Sequence, residues 1–503
     1  SARIKTKLQM ASDGAALMGV QALSKGASVT QMNARVNEYM LAAMAGTPFA
    51  LPSPPQVSAD RTEVCVDAYA DVPSVVMQVV GRRAFRVDSA SCAKGGGTDY
   101  EIAMVLDTTG SMNGGVGGVT KIAALRSSAK AFVDHMYGAA PDRVKISIVP
   151  FAASVRLDPT QYRNAAWVDK TGASSWHWKS PLFTRDVTIA GDRFSLYAHL
   201  RAIKPAWDWA GCFETLPYPY NVQDTTPSAS TPDTLLVPML APDEPDAYYK
   251  DGSGAWRANP NTYVNNYLDD AGGACSGALP TGTKPADETV RQSRVCKYKG
   301  GRADGSGVGP NQHCASDPLM RMTNSDTALK SKIDALVASG NTNVFEGFTW
   351  GWRTISPNGP FKDGRGYTTL NNKKVIVLMT DGENVWSGVD NKVNDSQYGP
   401  MGYFTTATDR MPPKWGKIDS DAKSRAALDE LLRQSCSNAR SAGVVIYTIG
   451  FSVPGDELDS QAKKLLEDCA GSKSRAYVAA DATQLTSAFK DIANGIADLR
   501  LAR

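Results

Sequence analysis

Histidine is scarce in this chain: 4 in 503 residues. That argues against a zinc site built from imidazoles and against His-dependent catalysis. No Cys-x-x-Cys occurs, so neither a zinc ribbon nor a thioredoxin-type redox pair is expected. No apolar run reaches the roughly 18 residues of a membrane-spanning helix. No basic block stands out either: 54 Lys+Arg oppose 51 Asp+Glu, a net charge of +3, so nucleic acid is not implied. The sequence shows no signal peptide and no initiator Met. It opens at Ser1-Ala2-Arg3 inside a helical pattern, and the expectation is a processed or truncated start.

What is present is ordinary for a folded protein: 42% hydrophobic and 21% charged residues, in a length that calls for two or three units. The 8 Cys are even in number and widely spaced, at Cys65, Cys92, Cys212, Cys275, Cys296, Cys314, Cys436 and Cys469. That pattern is read as structural disulfides in an oxidising compartment, with free buried thiols as the alternative.

Residues 1–47 read as one helix, with Ile4, Leu8, Ala11, Ala15, Met18 and Ala22 forming a narrow apolar stripe. Its uncapped start is consistent with continuation upstream into a membrane anchor, or with an ordinary amphipathic helix. Prolines at 48, 52, 54 and 55 end it. Residues 48–95 then read as a small strand-helix-strand unit: Val64, Val66 and Ala68 alternate, 72–80 is apolar with Pro73 suited to a first helical turn, and Phe85 and Val87 alternate again. Cys65 and Cys92 flank this unit and could staple it.

After Gly95-Gly96-Gly97 comes the largest unit, 96–503, where strands alternate with helices. That order implies an α/β fold with a mostly parallel sheet and right-handed crossovers. Two stretches interrupt it, about 153–320 and 384–420, rich in Trp, Tyr, Pro, Asn, Asp and Gly. They read as insertions, the first tied down by its own Cys residues. Trp176, Trp178, Trp207, Trp209, Trp256, Tyr248 and Tyr249 supply either an exposed binding surface or the insertion's own core, and the core reading is preferred. Cys436 and Cys469 end neighbouring elements and could pair across them.

The stretch Ile102-Ala103-Met104-Val105-Leu106-Asp107-Thr108-Thr109-Gly110-Ser111-Met112 is an apolar strand that ends in a carboxylate and hydroxyls. Open α/β sheets place ligand sites at that edge. One carboxylate and two hydroxyl oxygens at i, i+2 and i+4 suit Mg²⁺, Mn²⁺ or Ca²⁺. Alone, the stretch fits a strand end with a helix cap equally well. Two further segments, Gly340-Asn341-Thr342-Asn343 and Thr380-Asp381-Gly382-Glu383, would lie on the same edge. Glu383 either helps to hold water there or faces solvent.

The set Asp107, Thr109, Ser111, Thr342 and Asp381 resembles the metal-ion-dependent adhesion site of von Willebrand factor A domains, with Thr109 where that family has Ser. The resemblance implies a Rossmann-like sheet flanked by helices and one divalent cation. Ser111 and Thr109 would be direct ligands, Thr342 direct or through water, and Asp107 and Asp381 mostly through water. A partner would complete the metal with a carboxylate. A second resemblance covers nearly the whole chain. The segment from Arg3 to Leu17, together with Ala241-Pro-Asp-Glu-Pro-Asp, Asn265-Asn-Tyr-Leu-Asp-Asp, Trp350-Gly-Trp-Arg and Thr380-Asp-Gly-Glu-Asn, is similar to TadG-like tight-adherence (Flp type IVb) pilus-assembly proteins.

That family implies a pilin-like N-terminal helix and small α+β unit. It also implies export to the periplasm or surface of a Gram-negative bacterium, and anchoring by a membrane helix that this sequence does not include. The partners it implies are pilin or minor-pilin subunits, or a surface ligand donating a carboxylate. A non-enzymatic assembly factor or adhesin is therefore expected, with a purely structural subunit as the alternative. A hydrolase using Asp243/Glu244 or Asp269/Asp270 is disfavoured, because neighbouring residues of an extended chain point to opposite sides. Those acids could instead hold a second Ca²⁺ in the insertion, or be solvated loop charges.

Overall fold

The computed structural model describes residues 2–24, 27–59, 61–73, 84–95, 98–139, 142–179, 182–259, 263–305, 307–369, 371–386, 393–404 and 410–498. Helices α1 (Ala2–Ser24) and α2 (Val29–Ala43) open the chain. The single helix expected over 1–47 is thus two. Ser28 ends the continuity, because its side chain accepts from Gln31 N while Gln31 reaches back to Ser28 N. That reciprocal pair is a capping box, legible in the sequence as Ser-x-x-Gln.

Strands β1 (Gln56–Val57), β2 (Glu63–Pro73) and β3 (Ala84–Lys94) form an antiparallel sheet in that order. Val64, Val66, Ala68 and Ala70 alternate inward and share one core with Leu8, Ala11 and Ala15 of α1 and with Met32, Val36 and Met40 of α2. The described residues of this N-terminal part are therefore joined by a common core. Val72 and Pro73 extend β2 rather than opening a helix; the rest of that expected helix, 74–80, and Gly96-Gly97 lie outside the described residues. Cys65 sits directly opposite Cys92 and is bonded to it.

The second sheet is built from β4 (Asp99–Asp107), β5 (Val144–Phe151), β6 (Met320–Thr323), β7 (Asn372–Thr380), β8 (Val445–Phe451) and β9 (Ala476–Ala479). Their spatial order is β6-β5-β4-β7-β8-β9. All pairs are parallel except β6 with β5. Strands β4 and β7 read as unbroken apolar runs because both faces of the sheet are covered. On one face pack α3 (Lys121–Ala139), α5 (Asp326–Asp334) and α9 (Ala482–Asp498), through Phe132, Ile333 and Phe489. On the other pack α6 (Val344–Ile355), α7 (Asp421–Ser441) and α8 (Ser460–Ala470). Ser325 caps α5 by accepting from Ala328 N.

The first insertion is not a separate body. Its Leu196, Trp209, Phe213 and Tyr267 merge with Phe345, Trp350 and Leu431 in a single core, which Tyr398 and Phe404 of the second insertion also enter. Trp176, Trp207 and Trp209 are buried and Trp178 is partly so, in keeping with the core reading. The side chains of Tyr248, Tyr249 and Trp256 lie outside the described residues, although strands Ala247–Lys250 and Trp256–Asn259 do pair. The insertion also contributes α4 (Arg193–Ile203). Four disulfides use all eight Cys: 65–92, 212–314, 275–296 and 436–469. Among the described residues no helix is long and apolar enough to cross a membrane.

Candidate metal centre

The chain runs outward from β4 through β5 to β6, then returns to the other side of β4 as β7. The sheet reverses its direction of winding between β4 and β7, where a crevice opens at the carboxyl ends of the strands. Asp107 is the last residue of β4, and Asp381 follows the last residue of β7. Strand order alone thus brings these two carboxylates to one place.

Hydrogen bonds stitch the three loops together. Gly110 N donates to Gly340 O at 2.8 Å and Asn113 Nδ2 to Ala338 O at 3.1 Å, joining the first loop to the second. Val385 N donates to Thr342 O at 2.9 Å and Val344 N to Asn384 Oδ1 at 2.8 Å, joining the second to the third. Thr342 is nearly buried and faces the Asp381–Gly382 turn: a Cβ placed on Gly382 would sit 3.4 Å from its Oγ1. Asn343 caps α6 by accepting from Glu346 N at 3.1 Å, which fixes the end of this loop.

Asp107 is fully buried. Its Oδ1 accepts from Thr109 N at 2.8 Å and Thr109 Oγ1 at 2.6 Å, and its Oδ2 accepts from Thr380 Oγ1 at 2.6 Å. Ser111 Oγ donates to Asp381 Oδ1 at 2.8 Å. Both hydroxyls are therefore bonded to carboxylates. The oxygens of Thr109 and Ser111 also lie 3.0 Å apart, a pair in which either hydroxyl could donate. An octahedral ion with metal–oxygen bonds of about 2.1 Å sets adjacent ligands about 3 Å apart.

Charge makes the same point. Burial, with the nearby Asp381 carboxylate adding to it, pushes the Asp107 carboxyl up to about 7 against the hydrogen bonds from Thr109 and Thr380. Negative charge is concentrated here beyond what the hydroxyls relieve, and a divalent cation would relieve it. The donors are all oxygens, with no nitrogen or sulfur, and fit a hard cation. Ser111 is exposed, so one side of the cluster meets solvent.

All five residues singled out in the sequence meet at this edge. Two participants were not singled out. Thr380, which orients Asp107, is legible only as a hydroxyl preceding Asp381 in Thr-Asp-Gly. Lys121, at the start of α3, is buried and donates to Asp381 Oδ2 at 2.8 Å and also to Asp456 Oδ2. Nothing local to its sequence announces that role. Glu383 does not turn into the cluster but pairs with Arg425. The acids of the insertion are engaged elsewhere: Lys297 Nζ lies 2.7 Å from Asp243 and 2.8 Å from Asp270, Glu244 accepts from Asn265 N at 2.7 Å, and Asp269 pairs with Arg302. An ammonium thus stands between Asp243 and Asp270.

No family model and no curated protein matches the chain. Among solved structures it is similar to the vWF domain of the type V pili tip protein Mfa5 from Porphyromonas gingivalis, at 12% identity over 80% of this chain and 95% of that one, with a TM-score of 0.34. It is similar to the PilB minor pilin from Streptococcus sanguinis at 12% identity over 90% of this chain and 78% of that one, with a TM-score of 0.33. It is also similar to the adhesive tip pilin GBS104 from Group B Streptococcus agalactiae, at 11% identity over 79% and 100%, with a TM-score of 0.34. At these values the likenesses carry no argument, and the functional reading rests on the oxygen cluster.

Proposed function

We propose that this chain is a non-enzymatic binding protein of a bacterial pilus system, built on a von Willebrand factor A domain whose divalent cation receives a carboxylate from a partner. The observation that carries this reading is the pair Thr109 Oγ1 and Ser111 Oγ, 3.0 Å apart and each bonded to a carboxylate. Ser111, Thr109 and Thr342 would hold the ion, and Asp107 and Asp381 would orient the hydroxyls and share the charge. The bound ion supplies electrostatic attraction for an anionic partner group. The chain's own part is to aim the oxygens and to leave the Ser111 side open.

The engagement of the acids supports a non-enzymatic role: each adjacent pair in the insertion is held by an internal cation or backbone donor. Four disulfides favour an exported protein, at the periplasm or cell surface. The TadG-like resemblance narrows the partner to pilin or minor-pilin subunits, and the surface-adhesin reading differs only in who donates the carboxylate. The test is binding of the purified chain to candidate pilin subunits with Mg²⁺, with EDTA, and with the Asp107→Ala variant. Loss of binding in the last two is expected. Equal binding in all three would remove the cation from the function and leave a structural subunit.

A further inference from the structure

Lys121 is an unusual residue to find beside a cation site. Its side chain is 1% exposed and the Asp381 side chain 0%. A buried ammonium must be paired, because an uncompensated charge in the interior is strongly destabilising. It is paired twice, to Asp381 Oδ2 at 2.8 Å and to Asp456 Oδ2. The two partners differ. Asp381 is buried, its other oxygen held by Ser111 Oγ at 2.8 Å. The Asp456 side chain is 59% exposed and stands on the loop between β8 and α8. Lys121 is also tied to the first metal loop, because its N donates to Gly114 O at 2.8 Å.

Resting on the metal-centre reading, we propose that Lys121 is a tethered competitor for the cation, and that Asp456 is the counter-ion that receives it when the cation loads. Without a divalent ion, the ammonium neutralises Asp381. With the ion present, Asp381 shares its charge with the metal, like charges repel, and Lys121 shifts its pairing toward Asp456. The exposed Asp456 makes that exchange without leaving a buried charge alone. Cation affinity is thus set partly by a loop that supplies none of the metal's oxygens, and occupancy is transmitted to residues 452–459.

The test is calorimetric titration of the metal-stripped full chain with MgCl₂ and MnCl₂. Asp456→Asn leaves Lys121 only Asp381 to hold, and should weaken cation binding by up to about fivefold. Lys121→Met removes the competitor and should tighten binding by about tenfold. In the Lys121→Met background, Asp456→Asn should then have no effect. Amide exchange across 452–459 should change on cation addition in the wild type and not in Lys121→Met. Wild-type affinity in Asp456→Asn, which changes only a surface side chain, overturns the proposal. So does weaker binding by a Lys121→Met protein whose circular dichroism is native. If the wild type itself binds neither cation, the metal-centre reading fails and takes this one with it; if it binds and Asp456→Asn is silent, only this one falls.

Discussion

Ser111 Oγ donates to Asp381 Oδ1 at 2.8 Å, across 270 positions of sequence. One hydrogen bond thus joins the loop after β4 to the loop after β7. It sets the Ser111 oxygen beside a carboxylate and 3.0 Å from Thr109 Oγ1. The bond's value is directional more than energetic, because a net stabilisation of about 1 kcal/mol is all that such a contact supplies.

Ser111→Ala should therefore separate binding from folding. Ser111 is exposed, so the fold should stand with little loss. The wild type, at a cation concentration about a hundredfold above Kd, should gain about 2.7 kcal/mol from Mg²⁺. The variant should gain almost none. Urea unfolding with and without MgCl₂ reads both quantities at once.

The legible part of this site was the part written in contiguous runs. Ile102–Leu106 and Val375–Met379 are apolar throughout because helices cover both faces, so their ends, and the polar residues there, could be placed. Their adjacency followed from the alternation of strands and helices. Lys121 was not legible, because its partners are 260 and 335 positions away and an isolated Lys at a helix start carries no signal. The same holds for Lys297, whose placement between Asp243 and Asp270 changes what those acids can do. Strand β6 was lost in the irregular composition of the insertion, being only Met320–Thr323. The break after α1 could have been found, since Ser28 and Gln31 form a local motif.

The disulfides should rank by the chain they close. Cys212–Cys314 spans 102 residues and Cys275–Cys296 spans 21. Chain entropy gives about 5 kcal/mol for the first and about 3 kcal/mol for the second. Paired Cys→Ser variants, compared by urea midpoint, should keep that order. The 212–314 pair should also affect the metal centre, because Ser154 Oγ donates to His313 O at 2.6 Å and so fastens this segment to the end of β5, beside the Gly340 loop. A larger loss from the shorter bridge would show that native packing, not loop closure, sets the contributions.

His177 should stay neutral across the physiological range. Its Nε2 accepts from Arg193 N at 2.8 Å, so the proton sits on Nδ1, 2.9 Å from Asp169 Oδ2. Burial pushes the imidazole below its ordinary value, with the Arg193 charge adding to it. Burial alone would raise Asp169, but the His177 proton and the backbone N–H groups of Ala173 and Ser174 hold it at about 2. The signs agree for both groups. Each has a folded pKa below its unfolded one, so each contributes stability at high pH that is lost as pH falls. His177 begins to act below about 6.5 and Asp169 below about 3.9. Nitrogen NMR should show one protonated ring nitrogen at pH 7, and His177→Gln should flatten the upper limb of the stability–pH curve. A charged imidazole at pH 7 would refute the assignment.

Helix α6 begins immediately after the Thr342 loop, and two glycines set how closely it lies on the sheet. Gly347 and Gly351 stand one helical turn apart. A Cβ at Gly347 would meet Phe151 Cγ at 2.5 Å, and one at Gly351 would meet Val105 Cγ2 at 2.3 Å. In an exposed helix, replacing such a glycine with alanine would gain about 1 kcal/mol of propensity. Here the added methyl has no room, and overpacking of this kind costs about 1–3 kcal/mol. Gly351→Ala should therefore be destabilising on balance. The strain has two outlets, the Val105 side chain and the helix itself. If the helix yields, Thr342 moves with it and cation affinity should fall together with stability. Val105→Ala supplies the missing space, so the double variant should be more stable than the sum of the two single losses predicts. Denaturation of all four proteins, with Mn²⁺ titrations alongside, separates the two outlets: additive losses would mean that α6 and β4 are not in the contact described here.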